Sequence, residues 1–210
     1  MHQIPVSLTA FLFRVGVAVA FVALGDACGG GTATTSPSAT SGPPTIPPPR
    51  IDPSTLAPSS TYTIGFSSLR ENRAPFTSDT ESGFTVTVVS AEWISLTTYG
   101  NPQPFVEFNG PAGTTTTGEL RITAGGAPFW LNSADFYSST TKIPYVIEGF
   151  LNSEPAFSVI DVIGNTFGAF ARRTNPKSDV AVQEIRIRLS NPSAPCCANP
   201  MGVDNIVVSR

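Results

Sequence analysis

Histidine is all but missing from this chain of 210 residues: the single one is His2, inside a segment read below as a cleaved leader. A mature protein without histidine has no Ser-His-Asp or Cys-His catalysis, no histidine zinc site and no histidine pH switch. Charge is scarce too. Asp, Glu, Lys and Arg make up 13% of the residues, against roughly 25% in an ordinary soluble domain. The net charge is −3 and no basic stripe runs along the chain, so the usual electrostatic basis for binding nucleic acid is missing and none is expected as a partner. Cysteine is limited to Cys28, Cys196 and Cys197, with no Cys-x-x-Cys spacing for a metal. Nowhere after residue 60 do apolar residues keep the i, i+3, i+4, i+7 spacing of an amphipathic helix.

What is present begins with an export signal. The run Val15–Leu24 is apolar, follows the lone charge Arg14 and is ten residues long. A membrane-spanning helix needs roughly 20, whereas a signal-peptide core has this length and these flanks. The sequence Gly25-Asp26-Ala27-Cys28-Gly29 follows. It resembles the lipobox of bacterial lipoproteins, which implies cleavage before Cys28 and lipidation of that cysteine. Ordinary cleavage after Ala27, with Gly25 and Ala27 as the small pair, is the alternative. Both readings put the mature protein outside the cytoplasm: on the outer membrane or cell surface through Cys28, or secreted.

Residues 28–60 are rich in Gly, Ser, Thr and Pro, with few apolar side chains. Such a segment cannot bury enough surface to offset its chain entropy. The expected organisation is therefore a signal peptide over 1–27, a disordered tether over 28–60 and one domain over 61–210. In that domain apolar residues alternate with period two. Ile185, Ile187 and Leu189 alternate with Glu184, Arg186 and Arg188; Phe84, Val86 and Val88 alternate with Thr85 and Thr87. Strands are expected at 61–66, 83–91, 93–98, 104–108, 118–123, 128–137, 143–151, 156–163, 167–171, 181–189 and 203–208. Turn residues separate them, as at Gly100-Asn101-Pro102 and Asn152-Ser153. The fold class this predicts is all-β, a jelly-roll-like antiparallel β-sandwich of about ten strands.

Several pieces, in order, resemble a secreted bacterial β-sandwich domain of the kind found in PEP-CTERM-type exported proteins. They are Thr80-Glu81-Ser82-Gly83-Phe84-Thr85-Val86, then Trp93, Gly100-Asn101-Pro102, Thr123-Ala124-Gly125-Gly126 and the closing Val203-Asp204-Asn205-Ile206. The resemblance covers about residues 78–208. It implies a fold like the carbohydrate-binding jelly rolls, with an anchor expected at Cys28.

The candidate chemistry is that of binding. Trp93, Tyr99, Trp130 and Tyr137, together with Tyr145, are candidates for a platform on which sugar rings stack, the alternative being that most of them fill the core of the sandwich. Trp130 alternates with Phe129 and Leu131 and is expected to point outward. The partner expected is a polysaccharide or envelope glycan. Asp204 is expected on the core-facing side of the last strand, in phase with Ile206 and Val208. An inward carboxylate needs a partner: Glu81 and Asp204 are candidates to share a calcium ion, as in jelly-roll modules that join first and last strands through oxygen ligands, the alternative being that both cap turns or accept hydrogen bonds from backbone amides. Glu92, Glu107, Glu119, Glu148 and Asp161 stand isolated in sequence, without the tight carboxylate array of a glycan-acting hydrolase, so no enzyme is expected. A structural envelope protein without a small ligand is the alternative to a binding module. Outside the cytoplasm Cys196 and Cys197 tend to oxidise. A disulfide between these neighbours is expected to clamp their loop, with two buried thiols or bridges to another chain as alternatives. Adjacent Cα atoms lie only about 3.8 Å apart, below the usual disulfide span.

Overall fold

The computed structural model describes residues 50–52, 56–192 and 197–210. The signal, Cys28, most of the tether and Cys196 lie outside the described residues. Thirteen strands are present and no helix among the described residues. They are β1 (Thr61–Ile64), β2 (Pro75–Phe76), β3 (Ser78–Glu81), β4 (Phe84–Ser90), β5 (Trp93–Leu96), β6 (Phe105–Gly110), β7 (Thr116–Thr123), β8 (Trp130–Ser138), β9 (Ile143–Leu151), β10 (Glu154–Ile163), β11 (Ala171–Thr174), β12 (Glu184–Asn191) and β13 (Asn199–Ser209).

They form two antiparallel sheets, so the chain is an all-β, jelly-roll-like sandwich. The seven-stranded sheet runs β11-β8-β13-β6-β5-β2, with β1 also on β13; the six-stranded sheet runs β10-β9-β12-β7-β4-β3. Ile185, Ile187 and Leu189 of β12 are fully buried, as are Leu120 and Ile122 of β7 and Phe84 and Val86 of β4. From the other sheet Val106, Phe108, Phe136, Met201, Val203, Ile206 and Val208 meet them in one core. Each such side chain contributes about 1.5–3 kcal/mol on burial, and period-two alternation delivers them all to one side.

Two strands were not expected. Ser78–Glu81 carries no apolar residue and Pro75–Phe76 is two residues long. Both are terminal strands of their sheets, held by pairing with β4 and β5. Residues ahead of the first strand also hold onto the sandwich. The Ser59 and Ser60 amides donate to the Arg210 carbonyl at 3.1 and 2.9 Å, and Ile51 exchanges two hydrogen bonds with the Asn152 side chain.

Candidate functional site

The site lies on the outer face of the seven-stranded sheet. Val106 and Phe108 of β6 point into the core, so Glu107 between them points outward. Ala134 and Phe136 of β8 do the same for Asp135 and Tyr137. The register pairs Gly202 of β13 with Glu107 on one side and Tyr137 on the other. Glu107, Gly202 and Tyr137 therefore form one row across three strands. A Cβ at Gly202 would lie 3.1 Å from the Phe105 ring and from the Val106 carbonyl; the glycine makes room for the Phe105 ring, which packs over it beside Tyr137.

Three loops wall this row. Loop 65–74 supplies Asn72 and Arg73, loop 97–104 supplies Tyr99, and Ser139 follows β8; together they line a cavity of about 330 Å³ with Glu107 and Tyr137. The walls are pinned. The Arg73 amide donates to the Ser95 carbonyl at 2.7 Å, Ser95 Oγ donates to the Glu71 carbonyl at 2.6 Å, and the Thr97 amide donates to Asn72 Oδ1 at 3.0 Å. Arg73 holds a left-handed φ of 62°. Loop 164–170 is joined to loop 97–104 by a bridge between Asn101 and Ala169. It is tied to the end of β8 by Thr166 on Ser138 and by Asn165 on the Thr140 carbonyl.

Glu107 is only 3% exposed, and its carboxyl makes no hydrogen bond or ion pair with the described residues. Burial pushes its pKa up to about 7, with the positive charge of Arg73 acting in the opposite direction. Burial also pushes the Tyr137 phenol up to about 12, against a hydrogen bond from Ser139 that lowers it. Tyr137 therefore stays a neutral hydroxyl, 3.4 Å from the hydroxyl of Tyr99. Tyr99 itself is 53% exposed. Its hydroxyl lies 3.4 Å from where a Cβ on Gly168 would stand, and the adjacent Phe167 is 84% exposed.

A cavity of about 410 Å³ lies on the opposite sheet, lined by Phe150, Glu184 and Arg186 among others. Its charges are already spent: Arg186 Nε lies 2.6 Å from Glu184 and its guanidinium stacks over the Phe150 ring at 5.0 Å.

The structure brings together two of the four expected aromatics and separates the others. Tyr99 and Tyr137 share the cavity. Trp93 lies in the core at 2% exposure, its ring 4.7 Å from that of Phe108 and its indole N–H on the Ser90 carbonyl at 2.9 Å. It opens β5, and pairing with Phe108 turns it inward. Trp130 keeps its phase outside the core cluster of Phe129 and Leu131, yet it is only 5% exposed. Alternation assigns a face of the sheet, not what lies over that face. Tyr145 is also buried, its hydroxyl on Asp161.

Asp204 is corrected as well. The register of β13 against β8 shifts between Asp204 and Val207, and Asn205 there has φ 43°. The extra residue lets Val203 and Ile206 both reach the core and turns Asp204 to the outer face, opposite Asp135. Asp204 is 1% exposed and its Oδ1 has no partner. Burial pushes its pKa up to about 7; an Asn205 backbone hydrogen bond lowers it, and the charges of Asp135 and Glu81 raise it further. Asp135 is satisfied by Arg172 at 2.8 Å and by Asn205 Nδ2 at 3.1 Å. Glu81 accepts from the Gly65 amide at 2.9 Å and from Ser67 Oγ at 2.6 Å. Among the described residues no group of three or more His, Cys, Asp or Glu gathers as a metal cluster.

Cys197 is disulfide-bonded; Cys28 and Cys196 lie outside the described residues. The base of that loop is closed independently by buried amides, with Asn199 Nδ2 donating to Asn191 Oδ1 at 3.1 Å.

Sequence alone presents Glu107 as one of five isolated acids and gives Arg73 and Phe167 no role. Glu107 had a signal: an acid inside the run Phe105-Val106-Glu107-Phe108 must be buried or at a site. Arg73 and Phe167 sit in loops and had none.

Fold and site together define a β-sandwich with a small, polar, aromatic-flanked cavity on a sheet face. No known protein-family model matches this chain, and no curated protein sequence matches it. Among solved structures it is similar to a DUF4465 family protein from Bacteroides caccae, at 8% identity and TM-score 0.45, covering 71% of this chain and 99% of that one. It is also similar to a mutant of CBM29-2, a family 29 carbohydrate binding module, at 12% identity and TM-score 0.41, covering 72% and 92%. A third is TmCBM61 in complex with β-1,4-galactotriose, at 11% identity and TM-score 0.39, covering 61% and 89%.

Proposed function

We propose that this protein is an exported glycan-binding module whose cavity seats one sugar residue of a polysaccharide. The observation that carries this is Glu107, a buried carboxyl without a protein partner, facing a cavity beside an uncommitted guanidinium and two tyrosines. A sugar presents hydroxyls around its ring and an apolar face. Glu107, Arg73, the Asn72 amide and Ser139 offer partners for the hydroxyls, and Tyr99 and Phe167 offer flat apolar surface. Glu107 is the one carboxylate among the lining residues, which supports binding over hydrolysis, since glycosidases use two. Tyr99→Ala is expected to weaken glycan binding about tenfold, or about 1.4 kcal/mol, at unchanged melting temperature, as read by isothermal titration. Unchanged affinity in both Tyr99→Ala and Phe167→Ala would remove this cavity as the site.

The same reading places the protein at the cell envelope, held by a lipidated Cys28. Mass spectrometry of the native protein should find an acylated cysteine at its N-terminus. An unmodified Cys28 or retention of residues 1–27 would sink the anchor.

A structural calcium beside Asp204 and Glu81 belongs to this reading too. The unpartnered, buried Asp204 Oδ1 fits a hard cation's need for oxygen, and the negative charge of Glu81 and Asp135 around it favours one. A ligand bound only by the folded state stabilises it by mass action. Chelator should therefore lower the melting temperature of the wild type and leave Asp204→Asn unmoved; a wild type indifferent to calcium and chelator alike defeats this.

A further inference from the structure

We propose that the sugar seated in this cavity carries a carboxylate, a uronic acid, held between the Arg73 guanidinium and the Glu107 carboxyl. The inference rests on the glycan-binding reading and names the ligand's chemical class.

Arg73 is the one cation among the lining residues. Its side chain makes no hydrogen bond or ion pair with the described residues, while its backbone is fixed by the Ser95 contact and a left-handed φ. A guanidinium has five N–H donors in a planar fork that fits a carboxylate with two parallel bonds. Glu107 is buried and equally uncommitted. With its pKa near 7, it carries a proton in mildly acidic solution and is then a donor. Tyr99 and Tyr137 add two hydroxyls. Below neutrality the cavity thus offers a fixed positive charge, a carboxylic acid O–H and two phenols, with no anion. A carboxylate is a pure acceptor and satisfies this donor-rich set; a neutral sugar, whose hydroxyls donate as well as accept, leaves the guanidinium's charge unanswered.

The titratable groups that face Glu107 are Arg73 from loop 65–74, Tyr137 from β8 and Tyr99 from loop 97–104. Burial keeps the Tyr137 phenol neutral in this range. Ionisation of Glu107 is therefore what changes with pH in this range, and it sets a negative charge against the ligand's own. Acidic-sugar binding weakens as the pH rises through neutrality.

The test is isothermal titration of the full chain with polygalacturonate, alginate and glucuronan oligosaccharides. Each is compared with its carboxyl-reduced counterpart, which keeps the linkages and loses the charge, at about pH 5.5 and about pH 8.5. At the lower pH at least one acidic glycan should bind about tenfold more tightly than its reduced form, and should lose about tenfold at the higher pH. Glu107→Gln, a permanent donor of similar shape, should bind the acidic glycan alike at both. Arg73→Gln, an exposed position whose fold is checked by melting temperature, should lose the preference for the charged form. Reduced forms, or neutral galactan, mannan or xylan, bound as tightly as the acidic glycans would overturn the carboxylate while leaving sugar binding in place. Binding of no glycan at all would overturn both. A Glu107→Gln variant that keeps the wild-type pH dependence would remove Glu107 from the contact.

Discussion

Between about pH 4 and about pH 8.5 the wild type should lose about 3 kcal/mol of folding stability that Glu107→Gln retains. The sign follows from burial. In the unfolded chain Glu107 ionises with its ordinary value of 4.5, and in the folded protein near 7. Below the lower value both states are protonated and the folded state bears no penalty. Between the two the unfolded state gives up its proton first, so stability falls as the pH rises, by about 1.4 kcal/mol for each pH unit. Above the folded value both states are ionised and the full cost of a buried, unpartnered carboxylate is in place. Glutamine has the same shape and never ionises. The two proteins should therefore match near pH 4 and diverge toward alkaline pH, with the variant the more stable. Asp204, also raised to about 7 by burial, adds the same slope to both proteins, so the difference between their urea curves isolates Glu107. Parallel pH profiles would show that Glu107 is solvated in both protonation states. A cost of this kind is what functional sites sustain.

Trp93→Ala should cost about 3–5 kcal/mol, the range for removing a large aromatic from a packed core. For a domain of this size that lowers the melting temperature by about 10 °C or more. The indole is 2% exposed, packs on Phe108 at 4.7 Å and satisfies the Ser90 carbonyl. Its loss removes apolar burial, leaves a cavity between the sheets and breaks the hydrogen bond to the Ser90 carbonyl. Trp93→Phe restores most of the volume without the N–H and should lose less. Its affinity for glycan should equal that of the wild type, since the ring is on the opposite side of the sheet from Glu107. Tyr99→Ala should do the reverse, keeping stability and losing ligand. This crossed pattern separates a core aromatic from a binding one, and a Trp93→Ala protein that melts like the wild type would contradict the packing described.

Period-two alternation was enough for the sheets. Ile185, Ile187 and Leu189 are fully buried as their spacing demands, and the expected strand 143–151 coincides with β9. A strand's two faces are set by its own backbone, so local sequence assigns them. The turn residues marked the separations between strands for the same reason. The edge strands escaped notice because Ser78–Glu81 has no apolar face of its own and is a strand only by pairing with β4. Alternation counted through Asn205 puts Asp204 on the core side, but the ladder slips by a residue there and turns it outward. One bulge reverses every phase beyond it, and nothing local in Val-Asp-Asn-Ile announces it.

The site followed the same division. The sequence by itself determined that the one histidine is His2, that the chain forms a β-sandwich, and that it carries several aromatics and isolated acids. Only the tertiary structure decided which of them meet. Arg73, Tyr99, Glu107 and Tyr137 come from two loops and two strands separated by β13 in the sheet, and the row through Gly202 exists only once β13, the last strand of the chain, has inserted between β6 and β8. Register across non-local strands is set by the packing of the whole core. The burial of Trp93 and Trp130 depends likewise on what the rest of the chain lays against them. Neither quantity is carried by the residues next to a position in sequence, and both decide which side chain meets a ligand.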